Sequence, residues 1–145
     1  MSFHYAAQHR RRYVARNQDN RQENGPYRPR ILVVDDETIT RQLVADDLLL
    51  DGYQVSQAAN ALEALAIISA ELPFDMLLTD VDMPGGLSGI GLVEFVKEIA
   101  PATRVIVMSG GPHRAEQMPG IDLFIRKPTT SQKLRHHVAR LLELR

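Results

Sequence analysis

The chain has 145 residues, of which 44% are hydrophobic and 24% are charged, as in an ordinary globular protein with a substantial core. It contains no cysteine, which excludes disulfides, thiolate metal sites and a cysteine nucleophile. No apolar run approaches the roughly 20 residues of a membrane-spanning helix, and no signal-peptide pattern opens the chain, so we expect a cytoplasmic protein.

The net charge of −1 conceals a basic first segment and an acidic remainder. Residues 1–30 contain seven arginines and two acidic residues, a charge of +5, and residues 31–145 carry −6. We therefore predict a largely irregular N-terminal extension over residues 1–30 and one domain over residues 31–145. The extension is interpreted either as a solvated tail or as a basic segment that contacts an anionic partner through Arg10, Arg11 and Arg12.

From residue 31 onward, short apolar segments alternate with amphipathic ones. The predicted strands are 31–34, 53–56, 76–80, 104–108 and 121–125. The predicted helices are 38–50, a segment capped by Asn60 that ends before Pro73, 90–100, and a last segment that begins near Thr129 or Thr130. The alternation predicts a doubly wound, five-stranded parallel sheet, because each right-handed crossover needs a covering helix.

Each helix is expected to turn one apolar side toward the sheet. The predicted stripes are Ile39, Leu43, Val44, Leu48 and Leu50; Leu62, Leu65, Ala66 and Ile68; Leu92, Val93, Val96 and Ile99; and Leu134, Val138, Leu141 and Leu142.

The connection between the fourth and fifth strands is too short for a full helix. Only residues 110–120 are available there, and Pro112 and Pro119 fall inside that span. We therefore predict a shortened fourth helix of at most one or two turns around residues 113–117.

Polar side chains follow four of the predicted strands. Asp80 ends the third strand, and the others are Asp35, Asp36, Ser109 and Lys127. Parallel strands bring their carboxyl ends to one edge, where ligands bind in open α/β sheets. For Asp80 taken alone, capping of the turn before Pro84 is the simpler interpretation, but convergence of all five side chains by chance is improbable.

Three carboxylates in one crevice would repel one another unless a cation joined them. Mg²⁺ suits such a site because it prefers oxygen ligands and leaves room for phosphate oxygens, and together with Lys127 it would bring the formal charge near zero. Asp80 is then a candidate nucleophile toward phosphorus, forming an aspartyl phosphate, with Ser109 and Lys127 neutralising the phosphoryl oxygens.

These residues resemble the receiver domains of two-component response regulators over about residues 30–144. The resemblance is carried by Ile31-Leu32-Val33-Val34-Asp35-Asp36-Glu37, Asp80-Val81-Asp82-Met83-Pro84, Ser109-Gly110 and Lys127-Pro128. It implies a flavodoxin-like (βα)5 fold and a phosphoacceptor signalling domain that catalyses only its own phosphorylation and dephosphorylation. The implied phosphodonor is a histidine kinase or a histidine phosphotransfer protein, and the implied output is a face that docks a downstream protein target.

The resemblance also implies roles for individual residues. Asp80 would accept the phosphoryl group, Asp36 and Asp80 would bind Mg²⁺ directly together with the backbone carbonyl of Asp82, and Asp35 would act largely through water. Lys127 would pair with the phosphoryl group, and its bond to Pro128 would be cis.

Two further residues would form the family's switch. Ser109 would move toward the phosphate, and Phe124 would swing inward as that space empties. The simpler interpretation of Phe124 is an ordinary strand aromatic.

The chain departs from the commonest receiver pattern at two places besides the short fourth helix. The loop 84–89 is longer by about one residue, and Asp82 adds an acid two residues after the acceptor, at a position that resembles the family's site for tuning dephosphorylation. Because no effector domain follows residue 145, we expect a receiver without a DNA-binding domain, either stand-alone or excised from a hybrid kinase.

The alternative function comes from a different class. Asp80 and Asp82 after an apolar strand, with Ser109 and Lys127 later, are also similar to the haloacid dehalogenase-type phosphatases, whose second Asp is a general acid. That family places its metal-binding acids after the Lys, whereas Asp35 and Asp36 lie well before Asp80 here, and 145 residues leave no room for a cap domain.

Overall fold

The computed structural model describes residues 26–71, 73–83, 88–111 and 119–143. Within these ranges the chain forms five strands and four helices, which we number in chain order. They are β1 (Arg30–Val34), α1 (Thr38–Leu50), β2 (Gln54–Ala58), α2 (Ala61–Glu71), β3 (Met76–Asp80), α3 (Gly89–Ile99), β4 (Arg104–Ser109), β5 (Leu123–Arg126) and α4 (Ser131–Glu143).

The five strands form one parallel sheet in the order β2-β1-β3-β4-β5. This confirms the predicted doubly wound, flavodoxin-like architecture. The strand order reverses direction at β1, so the crevice above β1 and β3 is the topological switch point where ligands bind in this class of sheet. The register pairs Val34 with Thr79 and Asp80 with Met108, which aligns the ends of the three central strands.

The core lies in two layers, one on each face of the sheet, because successive strand residues point to opposite sides. Ile31 and Val33 of β1 pack with α1 and α4, and Leu32 and Val34 pack with α2 and α3. All five residues of β3 are buried, as expected for a central strand covered on both faces.

The predicted apolar faces of α3 and α4 are confirmed. The side chains that this prediction places against the sheet are all buried, namely Leu92, Val93, Val96, Ile99, Leu134, Val138, Leu141 and Leu142. The cap at Asn60 is also confirmed, since its Oδ1 accepts a hydrogen bond of 2.8 Å from the Glu63 N–H.

The predicted stripe on α1 was largely wrong. Ile39, Leu43 and Leu50 are 72%, 61% and 80% exposed, whereas Ala45 and Leu48 are fully buried. The buried side of α1 is therefore the one that carries Ala45 and Leu48. The stripe predicted on α2 was wrong at Leu62 and Ala66, which are exposed, and correct at Ile68, which is buried together with Ala61 and Ala64.

The last residues of the predicted extension contact the domain at the amino end of the strands. β1 begins at Arg30, one residue before the predicted domain boundary. The Tyr27 hydroxyl donates to Asp75, and Arg28 Nε donates to the Gly52 carbonyl at 3.1 Å. Residues 1–25, with the predicted irregular structure and arginine cluster, lie outside the described residues.

The predicted short fourth helix lies in residues 112–118, which are also outside the described ranges. Where the structure is described, no helix combines the length and the apolarity needed to cross a bilayer.

The corrected face of α1 gives a stability prediction with a control on the same helix. We expect Leu48→Ala to lower the free energy of unfolding by about 2–5 kcal/mol, because it leaves a cavity in the core. Leu43→Ala, at an exposed position, should change it by no more than about 0.5 kcal/mol. Urea denaturation of both variants measures the difference, and equal losses would contradict the assignment of the buried stripe.

Candidate functional site

The strands of the sheet deliver three carboxylates to its carboxyl edge. Asp35 and Asp36 follow β1, and Asp80 is the last residue of β3, the adjacent strand. Asp35 and Asp80 are 1% and 6% exposed, whereas Asp36 is exposed. Carboxylate oxygens of the three residues lie within 4.8 Å of one another. The predicted convergence of the three acids is therefore present in the structure.

Lys127 brings an ammonium group into the same crevice from the end of β5. Its Nζ lies 2.9 Å from Asp80 Oδ2 and 3.2 Å from Asp35 Oδ2. The Lys127 N–H donates to the Ser109 carbonyl at 2.8 Å, which fixes the backbone beside β4. The Lys127–Pro128 peptide bond is cis, the isomer that the resemblance implied.

The protonation of Lys127 follows from its surroundings. Burial lowers the pKa of Lys127, but the hydrogen bonds and negative charges of Asp80 and Asp35 outweigh burial, and the pKa is raised above its usual value. The side chain is therefore an ammonium ion at neutral pH. Three carboxylates and one ammonium group leave a formal charge of −2 in the crevice.

Backbone N–H groups orient the two buried carboxylates. The Glu37 N–H donates to Asp35 Oδ1 and the Asp82 N–H donates to Asp80 Oδ1, both at 2.9 Å. In each case the donor lies two residues after the acid, as in an Asx-turn. Each carboxylate thus has one oxygen held by the backbone and the other by Lys127.

The crevice fits a hard divalent cation. Its potential ligands are carboxylate oxygens on two adjacent strand ends, and the excess charge of −2 equals the charge that such an ion would neutralise. The exposed Asp36 leaves one side open to water and to a phosphate group. The donor set is all oxygen, which suits a hard ion such as Mg²⁺ better than a soft ion that prefers thiolate or imidazole ligands.

Ser109 joins this group through Asp82. Its side chain is fully buried, and its Oγ donates to Asp82 Oδ2 at 3.1 Å. Asp82 is exposed, and its own N–H contacts Asp80. Phe124 is half-buried in β5 and packs against the core layer under α2 and α3.

Two residues that support the site were missed by sequence reasoning. Arg41 Nη1 donates to the Asp35 carbonyl at 2.8 Å and its Nε donates to Gln57 at 3.3 Å, so it fastens the end of β1 to β2. A Cβ atom at Gly89 would lie 2.1 Å from the Asp80 carbonyl oxygen, so α3 begins in direct contact with the backbone of Asp80. Three glycines in residues 85–89 were the available signal for such an approach.

Comparisons with known proteins agree with this geometry. A model of the family described as "Response regulator receiver domain" matches residues 31–139. The chain is 33% identical over 109 residues to an NtrX-like response regulator of Rickettsia felis, covering 72% of this chain and 23% of that protein. It is 41% identical over 80 residues to sporulation initiation phosphotransferase F of Bacillus subtilis, covering 55% and 63%.

A solved structure gives the same result for the fold. A CheY-like receiver domain from Methanospirillum hungatei JF-1 superposes with a TM-score of 0.75 at 30% identity, covering 81% of this chain and 95% of that one. The chain spans only 23% of the length of the NtrX-like relatives.

The close approach of Gly89 gives a prediction about the site's scaffold. Gly89→Ala must push α3 away from Asp80, and we expect a loss of about 1–3 kcal/mol in the free energy of unfolding. The control is Gly110→Ala, because a Cβ there would meet nothing within 4 Å. Denaturant unfolding compares the two, and a Gly89→Ala protein as stable as the control would rule out the contact.

Proposed function

Because this chain belongs to the family of response regulator receiver domains, we propose that it accepts a phosphoryl group on Asp80 in a Mg²⁺-dependent reaction of two-component or phosphorelay signalling. The observation that carries the proposal is the position of Lys127 Nζ, within 3.2 Å of both Asp35 and Asp80 in a crevice that Asp36 completes. The haloacid dehalogenase-type alternative gains no support from the family match or from the receiver structure.

The carboxylates would hold the metal ion. We assign direct contacts to Asp36, Asp80 and the backbone carbonyl of Asp82, and a water-mediated contact to Asp35. When bound, Mg²⁺ supplies charge neutralisation for the carboxylates and the incoming phosphoryl oxygens. The excess of −2 among these side chains and Lys127 supports the assignment.

Asp80 acts as the nucleophile. One of its carboxylate oxygens attacks the phosphorus atom of a phosphohistidine, so that an O–P bond forms as the P–N bond breaks. The electron pair of the P–N bond stays on the histidine nitrogen, and the ring, already protonated on its other nitrogen, leaves as neutral imidazole. Lys127 then transfers its hydrogen bond from Asp80 to a phosphoryl oxygen. Such transfer needs mainly positioning and charge stabilisation, which these fixed groups provide.

The output is a rearrangement beyond the crevice. We propose that the Ser109 hydroxyl turns to the phosphoryl group and that half-buried Phe124 moves inward, which alters the face presented to a downstream protein. The phosphoryl group shifts this equilibrium only as far as it binds one arrangement better than the other.

A histidine kinase or a histidine phosphotransfer protein is the proposed donor. A groove of about 770 Å³ lies between α1 and the β5–α4 connection, and its lining includes Leu43, Lys127 and Leu134. Leu43 and Ile39 are exposed on α1 and offer apolar surface to a partner. Donor helices that dock there would place a phosphohistidine at the open side of the crevice.

We further propose a cytoplasmic location, the compartment of the proposed donor's phosphotransfer chemistry. Contact of the basic N-terminal residues with an anionic partner stays a prediction.

The acceptor role is tested with acetyl phosphate and Mg²⁺. We expect the intact mass to rise by one phosphoryl group per chain and no further, because each chain offers one acceptor carboxylate. Asp80→Asn should show no gain, since the amide is a poor nucleophile. Equal uptake by Asp80→Asn would remove Asp80 from the role, and repeated hydrolysis of small phosphate esters would favour a phosphatase.

The metal assignment is tested with Asp36→Ala. We expect the affinity for Mg²⁺ to fall by about tenfold or more, because one direct oxygen ligand is lost. Asp46→Ala, which removes an exposed acid from α1, is the matched control and should leave the affinity unchanged. Isothermal titration provides the measurement, and equal affinities of the two variants would place the metal elsewhere.

A further inference from the structure

The Ser109 hydroxyl has a specific partner in the structure. Its Oγ lies 3.1 Å from Asp82 Oδ2 and 3.4 Å from the Gly111 carbonyl oxygen, and it accepts from the Gly111 N–H at 3.2 Å. A hydroxyl carries only one proton to donate. The carboxylate is both nearer and charged, and charged acceptors form the stronger bond. The hydroxyl proton of Ser109 is therefore committed to Asp82.

Asp82 is itself tied to the acceptor. The Asp82 N–H holds Asp80 Oδ1 at 2.9 Å, so its backbone faces Asp80 while its side chain faces Ser109. Asp82 is exposed and Ser109 is fully buried. The carboxylate thus stays in contact with water when Ser109 leaves, whereas a buried carboxylate would need a new partner.

We propose that Asp82 is a positioning residue that holds the Ser109 hydroxyl away from the phosphoryl group while Asp80 is unmodified. The inference rests on the proposed function, in which Ser109 donates to a phosphoryl oxygen. To do so it must give up its hydrogen bond to Asp82. We call this contact the Asp82–Ser109 latch.

The latch opposes the phosphorylated arrangement in two ways. Opening it breaks a charge-assisted hydrogen bond, and it leaves the Asp82 carboxylate close to a newly arrived negative group. Both effects stabilise the unmodified arrangement relative to the phosphorylated one. The Asp82 side chain therefore limits how far the phosphoryl group shifts the equilibrium between these two arrangements. When the phosphoryl group leaves, the same contact returns Ser109 to its original position.

A double-mutant cycle separates the two effects. The probe is beryllofluoride, a phosphoryl mimic, with saturating Mg²⁺ on the full chain, and the variants are Asp82→Ala, Ser109→Ala and the double substitution. We expect Asp82→Ala to tighten beryllofluoride binding by about tenfold when Ser109 is present. When Ser109 is replaced by Ala, only the repulsion between Asp82 and the bound mimic remains. In that background Asp82→Ala should therefore tighten beryllofluoride binding by about threefold or less.

Asp82→Asn is the conservative control, because its amide oxygen still accepts from the Ser109 hydroxyl but carries no charge. Its affinity for beryllofluoride should lie between those of the wild type and Asp82→Ala, and its effect should still depend in part on whether Ser109 is present. Urea unfolding of the same variants, without metal or mimic, measures their free energies of unfolding. The effects of Asp82→Ala and Ser109→Ala on this free energy should also be non-additive, since the contact is present in the unmodified protein.

The outcomes distinguish the latch from the function on which it rests. Equal tightening by Asp82→Ala in both Ser109 backgrounds would show that repulsion alone operates and would overturn the latch. No tightening in either background would overturn it as well. A wild-type protein that fails to bind beryllofluoride with Mg²⁺ would instead overturn the proposed function, and the role of the latch with it.

Discussion

The Lys127 ammonium group lies between the carboxylates of Asp35 and Asp80, and without it two almost fully buried acids would face each other uncompensated. Charges removed from water are tolerated only when they are paired and hydrogen-bonded. The three residues come from the ends of three different strands, so this contact also fixes those strand ends relative to one another. It is therefore a structural constraint on the carboxyl edge of the sheet.

The topology of the sheet makes that contact possible. β1 and β3 are neighbours at the point where the strand order reverses, and β4 separates β3 from β5. Lys127 reaches across this gap because its backbone is held to Ser109 at the end of β4. The long lysine side chain is suited to such a span, and a shorter cation at this position would not reach both acids.

The sequence was informative where a side chain's position follows from the backbone. The positions of Asp35, Asp80 and Lys127 could be predicted, because all parallel strands bring the residues at their carboxyl ends to the same edge of the sheet. The inward face of α1 was not predictable in the same way. Leu43 and Leu48 have equal hydrophobicity, and only packing against the sheet selects which is buried. The Gly89 contact with Asp80 likewise depends on a tertiary approach that a local pattern does not encode.

The entry of the chain into β1 lies at the opposite end of the strands from the acidic crevice. Tyr27 and Arg28 are fastened there to Asp75 and Gly52, and the five residues of β1 separate them from Asp35 by about 17 Å. The contacts that hold the start of β1 and the side chains that form the acidic crevice therefore lie at opposite poles of the sheet, so neither set occupies the space of the other.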